Sequence, residues 1–108
     1  MPSQFAVQYA FANVSASGDT TIVAAQPNQR IIVLQCCVIT AVANNIQFET
    51  QTASAAISAL FPLAQNGGFV LPFSELGWFM TNSGDGLLIN LSAANQVAIQ
   101  LVWCPSNS

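Results

Sequence analysis

The sequence predicts an all-β protein, an antiparallel β-sandwich for which a jelly roll is favoured over an Ig-like Greek key. About eight or nine short strand candidates follow one another at roughly ten-residue spacing, separated by turn-forming residues. The candidate strands are rich in β-branched and aromatic residues, and no stretch has a convincing helical period. Regularly spaced short strands are typical of sandwiches and barrels, and a jelly roll packs eight strands in two sheets. The 108 residues are expected to form one domain, 1–108.

The first strand candidate covers residues 4–12 and alternates strictly. One side carries larger apolar residues and the other carries Gln and Ala; the larger residues are Phe5, Val7, Tyr9 and Phe11. This period of two predicts a half-buried strand. Residues 13–19 have turn composition with Gly18 at the positive-φ position, residues 20–25 form a short strand, and residues 26–28 close the next connection.

The longest strand candidate covers residues 29–42 and is apolar on both faces. Strict alternation places one set of residues on each face: Arg30, Ile32, Leu34, Cys36, Val38 and Val42 against Ile31, Val33, Cys37 and Ile39. A strand with two apolar faces is either central or lends one face to a subunit interface. Residues 43–45 predict a turn, and the alternating segment after it predicts a hairpin with the long strand.

The second half of the chain is predicted as short strands joined by turns. Residues 52–59 are Ala-rich and compatible with a short helix, although a strand near 57–60 suits the surrounding rhythm better. Further strands are expected at 69–71, 78–80, 87–91 and 97–103, with turns at 65–68, 72–77, 82–86 and 93–95. The sequence NSGDG at 82–86 is a hairpin-turn signal, and Val97, Ile99, Leu101 and Trp103 mark one face of the last strand.

Charge is the unusual feature of the composition. Charged residues make up 5% of the chain, where soluble domains average about 25%. Arg30 is the only basic residue, and the net charge is −3. A surface with so few charges resists association poorly. The chain is therefore expected to be a subunit of a larger assembly.

The same composition argues against several classes of protein. One Arg against four acidic residues cannot supply the cations that nucleic-acid binding needs. The longest near-apolar run, residues 31–43, is shorter than the roughly 20 residues of a membrane-spanning helix. The N-terminus lacks the pattern of a signal peptide, and the apolar content argues against disorder.

Catalytic chemistry is not expected. His and Lys are absent, and the carboxylates Asp19, Glu49, Glu75 and Asp85 have no flanking pattern of an acid–base site. A glycosidase-type carboxylate pair stays open, because the sequence does not show which carboxylates meet in space. Asp85 is a single carboxylate in its turn, whereas Ca²⁺ takes about six to eight oxygens. No cofactor, metal or small-molecule substrate is expected.

The three cysteines, Cys36, Cys37 and Cys104, are interpreted as small apolar residues. Cys36 and Cys37 are adjacent in a strand and so point to opposite faces. An odd number argues against a disulfide framework, and a zinc site lacks its fourth ligand.

The stretch 60–80 concentrates aromatic residues, glycines and prolines. Most of the aromatics are predicted to fill the core; with Trp103 the set is Phe61, Phe69, Phe73, Trp78 and Phe79. Interface centres are enriched in Trp, Phe and Tyr. Phe73 and Trp78, near the turn at 72–77, are the best candidates for a subunit or capsid contact, and Glu75 and Phe79 complete the candidate site.

Several motifs resemble a group of small proteins encoded by tailed bacteriophages and prophages. They are ANVSASGD at 12–19, TIVAA at 21–25, FPLA at 61–64, NGGFVLPF at 66–73, GWF at 77–79 and LSAA at 91–94. The resemblance implies a virion structural protein, a decoration or cement protein on the outer surface of the capsid, made in the host cytoplasm. It further implies a homotrimer at three-fold positions, with the major capsid protein as partner. The Cys36–Cys37 pair and the low Lys and Arg content depart from the family pattern.

Two functional hypotheses follow, and both are non-enzymatic. The leading one is a decoration protein that bridges and stabilises neighbouring capsid subunits as a homotrimer. The alternative is a jelly-roll module of a phage head fibre or tail that binds glycans or the host, with Trp78 beside Glu75 as the candidate sugar site.

Overall fold

A computed structural model describes residues 7–106, which fold into two antiparallel five-stranded sheets. The strands are β1 Gln8–Val14, β2 Gly18–Val23, β3 Arg30–Thr40, β4 Asn44–Thr50, β5 Ala55–Ala56, β6 Phe61–Leu63, β7 Gly68–Leu71, β8 Phe79–Met80, β9 Leu87–Leu91 and β10 Val97–Ser106. A single 3-10 turn, Thr52–Ser54, precedes β5. The predicted all-β antiparallel sandwich is confirmed.

Consecutive strands of the first half alternate between the two sheets. Sheet A has the order β1-β10-β3-β7, with β8 also pairing β3; sheet B has the order β2-β9-β4-β5, with β6 also pairing β4. The two hairpins predicted at 43–45 and 82–86 are therefore wrong, because the connections there, residues 41–43 and 81–86, each join a strand of sheet A to a strand of sheet B. Turn residues show that the chain reverses, whereas the choice of partner strand depends on contacts distant in sequence.

A β-bulge in β3 changes which side chains face the core. Along β10, Trp103 pairs with Val33 and Val102 pairs with Gln35, so Leu34 is an extra residue in β3. An extra residue reverses the alternation beyond it. The prediction that each face keeps the same alternation along the whole strand is thus wrong, because the residues on either side of the bulge follow different alternations. The side chains that face the core are Ile31 and Val33 before it, and Cys36, Val38 and Thr40 after it.

The core lies between the two sheets and is built from the inward residues of four central strands. Its most buried members, 0–4% exposed, are Ile31, Val33, Cys36, Val38, Ile46, Phe48, Leu87, Ile89, Leu91, Val97, Ile99, Leu101 and Trp103. Full burial of one such large side chain stabilises a fold by about 1.5–3 kcal/mol. The alternation predicted for the last strand is confirmed, because its four named residues all belong to this set.

Strand β1 is half-buried, and its alanine side packs on the core. Residues 4–6 of the predicted strand lie outside the described residues. Ala10 and Ala12 pack against the core, whereas Tyr9 and Phe11 are 77% and 80% exposed. The large aromatic side chains of this strand therefore lie on the outside of the sandwich.

Candidate interaction surface

The outward side of sheet A forms a continuous surface across four strands. Directly paired residues of antiparallel strands share one face of a sheet, so the strand register groups them in rows. The three rows are Tyr9–Val102–Gln35, Phe11–Gln100–Cys37–Val70 and Asn13–Ala98–Ile39–Gly68. Together these residues form the sheet A outer face.

The sheet A outer face carries no charged residue and exposes large apolar side chains. Tyr9, Phe11, Ile39 and Val70 are each more than half exposed, at 77%, 80%, 53% and 63%. Arg30 lies at the far end of β3, beyond the bulge, where its Nη1 donates to the Thr81 carbonyl oxygen at 3.3 Å. Contiguous apolar surface of this kind marks interaction sites in soluble proteins.

The relief of this face is a ridge beside a hollow. The ridge is formed by Tyr9 and Phe11 on β1, at one edge of sheet A. The hollow lies next to it, where the central strands carry the smaller side chains Cys37 and Ala98 together with Gln100. The face therefore offers both a protruding and a receiving element.

At the opposite edge of sheet A, residues 72–78 form a loop between β7 and β8. Both strands pair with β3, and the loop leaves the sheet where the bulge interrupts β3. The Ser74 amide donates to the Leu34 carbonyl oxygen at 2.9 Å, and the Trp78 amide donates to the Val33 carbonyl oxygen at 2.8 Å. The bulge thus provides the acceptors that hold this loop.

Two further contacts define the shape of the 72–78 loop. The indole Nε1 of Trp78 donates to the Pro72 carbonyl oxygen at 2.7 Å, which links the beginning and end of the loop. Gly77 has a φ of +84°, and a Cβ at this position would collide with the Ile32 side chain. Only glycine fits this position without strain.

The structure brings together three of the four residues predicted as a contact site. Phe73 is 56% exposed and Trp78 is 45% exposed on this loop, and Glu75 is exposed between them. Phe79 instead turns inward, where its ring stacks on Phe48 with centroids 4.9 Å apart. The loop also presents Leu76, 90% exposed, which was not among the predicted contact residues.

The sheet A outer face was not predicted from the sequence. The signal was present in the sequence of β1, where Tyr9 and Phe11 alternate with the alanines Ala10 and Ala12. Larger residues are usually the buried ones, so this pattern by itself does not indicate an exposed aromatic ridge. Only the packing of the alanine side on the core reveals it.

The outward side of sheet B differs because it is polar and carries a carboxyl pair. Glu49 of β4 and Asp19 of β2 reach toward each other across β9. Burial raises the pKa of Glu49 to about 7, and hydrogen bonding with Asp19 and the charge of Asp19 contribute further. The sequence left open whether any two carboxylates meet, and these two do.

The Asp19 carboxylate is the ionised member of the pair. Hydrogen bonding with Glu49 is the main reason that the pKa of Asp19 is lowered, followed by the bonds from Asn90 and Ser54. The Asn90 amide donates to Oδ1 at 2.8 Å, and the Ser54 hydroxyl donates to Oδ2 at 2.7 Å. Glu49 is 8% exposed, and its Oε1 has no hydrogen-bond partner. Between the lowered pKa of Asp19 and about pH 7, the pair therefore holds one proton, on Glu49.

Asp85 anchors the connection between the sheets. Its carboxylate accepts hydrogen bonds from the Thr50 hydroxyl at 2.7 Å, the Thr52 hydroxyl at 2.7 Å and the Thr52 amide at 2.9 Å. Burial by itself raises the pKa of Asp85, but these hydrogen bonds outweigh it, so the pKa lies below its usual value. The role of Asp85 is structural: it ties the end of β4 to the 82–86 turn.

The remaining reactive groups of the described residues form no metal site. Within residues 7–106, no group of three or more His, Cys, Asp or Glu could hold a metal ion. The three cysteines are unpaired, with Cys36 and Cys104 buried, and burial raises the pKa of Cys36 to about 12. The described part of the chain also contains no helix with the length and apolarity needed to cross a membrane.

Residues 7–106 thus define an antiparallel β-sandwich with one uncharged outer face and one polar outer face. No protein-family model and no curated protein matches the sequence. Among solved structures, the fold is similar to a chain of the capsid asymmetric unit of cyanophage Pam1, with a TM-score of 0.58 and 11% sequence identity. The match covers 93% of this chain and 85% of that chain. At this identity the similarity shows a shared fold.

Proposed function

We propose that this chain is a non-enzymatic structural protein of a bacteriophage virion, a decoration or cement protein on the outer surface of the capsid. It binds the major capsid protein, and as a homotrimer it bridges and stabilises neighbouring capsid subunits. The observation that carries the proposal is the uncharged sheet A outer face on a fold shared with a phage capsid chain. The sequence motifs resembling small phage proteins point in the same direction.

The strand order supports the jelly-roll form of the sandwich. The short strands β5 and β6 lie along one edge of β4, and β7 and β8 lie along one edge of β3. We infer that each pair is one interrupted strand, which leaves two sheets of four strand positions. An Ig-like sandwich places its first two strands in the same sheet, whereas β1 and β2 belong to different sheets here.

The exposed loop at 72–78 is the proposed capsid contact. Phe73 and Trp78 supply aromatic area, and Glu75 supplies a charge at the rim. Such a small loop buries modest area and binds weakly by itself. Three copies in one trimer bind together, because each later contact forms at high effective concentration. Stable attachment therefore needs an assembled shell, which presents several sites at fixed spacing, and free capsid subunits are bound weakly.

The decisive experiment is the composition of purified virions. Quantitative mass spectrometry should find this chain at hundreds of copies per particle, in a fixed ratio to the major capsid protein. The isolated protein should also cosediment with shells stripped of it, and not with unassembled capsid subunits. A few copies per particle would indicate a tail, portal or fibre component instead, and absence from the virion would refute the proposal.

One observation favours a second candidate, a glycan- or host-binding module of a head fibre or tail. Trp78 is 45% exposed in the same loop as the exposed Glu75, and the bond to Pro72 holds its ring in place. An exposed aromatic beside a carboxylate suits a sugar ring. If this candidate is correct, a glycan array gives a signal that is lost in Trp78→Ala; a blank array eliminates it.

A further inference from the structure

We propose that the sheet A outer face is the contact between copies of this chain in the homotrimer. The ridge of one protomer, Tyr9 and Phe11, packs into the hollow of the next protomer, lined by Cys37, Ala98 and Gln100. The inference deepens the proposed function, since it rests on the proposed trimer and assigns the surface that forms it.

The exposed area is sufficient for such a contact. An aromatic side chain contributes about 150–250 Å²; at 77% and 80% exposure, Tyr9 and Phe11 together leave roughly 240–390 Å² accessible. Ile39 and Val70 enlarge the same face. Monomers rarely expose apolar patches much beyond a few hundred Å², and a standard interface buries about 800 Å² per partner. The ridge alone supplies a substantial part of that area.

The absence of charge on the sheet A outer face favours a second copy of this chain as its partner. The three rows of the sheet A outer face contain no Asp, Glu, Lys or Arg. A charged partner surface would lose its hydration against this face and gain no ion pair in return. Another copy of the chain presents an equally uncharged surface, and its Gln35 and Gln100 amides both donate and accept hydrogen bonds.

In the proposed trimer the ridge of each protomer enters the hollow of the next protomer. The ridge lies at the β1 edge of sheet A, and the hollow lies beside it, bounded by Phe11 on one side and by Cys37 and Ala98 of the central strands on the other. Contacts between two different patches are heterologous, and they close into a ring when the rotation permits. Within the described residues β1 pairs only with β10, so the ring also covers an edge strand that would otherwise promote aggregation.

This arrangement separates the two contact surfaces of the molecule. The 72–78 loop lies along the opposite edge of sheet A from β1. The trimer contact and the proposed capsid contact can therefore be disrupted independently.

The first test is the oligomeric state of variants, measured by sedimentation velocity on the full chain across a concentration series. The wild-type protein should be a trimer at micromolar concentration. Phe11→Gln should dissociate at concentrations at least tenfold higher than the wild type does. Leu60→Gln is the matched control, because Leu60 is 54% exposed but lies between β5 and β6 of sheet B, and it should remain trimeric.

The second test uses Cys37 as a reporter in the hollow. Phe11 and Cys37 of one chain are separated by β10, so their backbones lie two strand spacings apart, about 10 Å. A disulfide requires Cα atoms closer than about 7 Å. A Phe11→Cys variant can therefore bond to Cys37 only between protomers, and mild oxidation should give covalent trimers on a non-reducing gel. The same variant combined with Cys37→Ser should give none.

The outcomes distinguish this inference from the proposed function. A Phe11→Gln protein as trimeric as the wild type, together with no Phe11→Cys cross-link, would overturn the assignment of this surface and leave the capsid role intact. A wild-type monomer would overturn both the trimer and its surface. A cross-linked trimer that does not bind shells would support the surface and refute the capsid role.

Discussion

Phe79 of β8 stacks on Phe48 of β4, with ring centroids 4.9 Å apart and an interplanar angle of 27°. The contact joins sheet A to sheet B at β8, the strand that follows the 72–78 loop. Phe48 is 0% exposed, so Phe79 extends the core to the base of this loop. A residue predicted as part of a contact surface thus supports that surface from inside.

Phe79→Ala is therefore expected to lower stability without altering the outer surface directly. Truncation of a buried Phe to Ala costs about 3–5 kcal/mol, and a partly buried position belongs at the lower end. Urea denaturation at constant protein concentration measures the loss. Phe73→Ala, at a 56% exposed position in the same loop, is the control and should change stability by less than about 0.5 kcal/mol. Equal stability of the two variants would contradict the assignment of Phe79 to the core.

The Glu49–Asp19 pair predicts that stability falls as pH rises toward neutrality. Burial, reinforced by Asp19, raises the pKa of Glu49 in the folded protein from 4.5 to about 7. The folded state therefore binds more protons than the unfolded state between these values, and its extra stability is present below pH 4.5 and lost through pH 7. Glu49→Gln removes the ionisation and should be more stable than the wild type at pH 8, by about 1–2 kcal/mol.

Urea titrations at pH 5 and pH 8 provide the measurement. The difference between wild type and Glu49→Gln should grow from pH 5 to pH 8. Glu75→Gln, which removes an exposed carboxylate in the 72–78 loop, should follow the wild type at both pH values. A Glu49→Gln protein with the same pH profile as the wild type would refute the proton-sharing interpretation.

Two glycines with nearly the same φ allow the cost of backbone strain to be compared with the cost of a steric collision. Gly77 and Gly84 have φ values of +84° and +83°, but a Cβ at Gly77 would strike Ile32, whereas a Cβ at Gly84 has no neighbour within 4 Å. Gly84→Ala should lower the free energy of unfolding by about 1 kcal/mol, because alanine is strained at a positive φ. Gly77→Ala should lower the free energy of unfolding by more, because the collision with Ile32 adds to the strain, and it should also shift the fluorescence of Trp78. Similar melting temperatures for the two variants would count against a tight fit of the loop on β3.

Trp78 tests the proposed capsid contact separately from the fold. Trp78→Ala should remain trimeric but bind stripped capsid shells at least tenfold more weakly, measured by cosedimentation. Trp78→Phe keeps the aromatic area and loses the bond from Nε1 to the Pro72 carbonyl oxygen, so its affinity should be intermediate. Unchanged binding by Trp78→Ala would move the capsid contact away from this loop.

Much of the local structure could be predicted from the sequence, because strand formation depends on neighbouring residues. The alternation of Val97, Ile99, Leu101 and Trp103 predicted a strand with one buried face, and all four are buried. The adjacent Cys36 and Cys37 were predicted on opposite faces, and Cys36 is buried whereas Cys37 is only partly so. The exposure of Phe73 and Trp78 agrees with their position near a turn.

The candidate site itself was only partly predictable, because it depends on contacts between distant segments. Leu34 becomes a bulge through its pairing with β10, which local alternation does not reveal. Glu49 and Asp19 are thirty positions apart in the chain, and only the strand order of sheet B brings them together. Phe79 carries the same aromatic signal as Trp78, yet one turns to the core and the other to solvent.

An all-β chain of short strands with almost no charge follows from composition and alternation, because both are local properties. Which strands pair, and which side of each strand faces outward, depends on contacts between segments distant in sequence. In β1 the side that carries Ala10 and Ala12 packs on the core, so Tyr9 and Phe11 lie on the surface. That choice depends on how the two sheets pack together, and it creates the surface that we assign to the trimer.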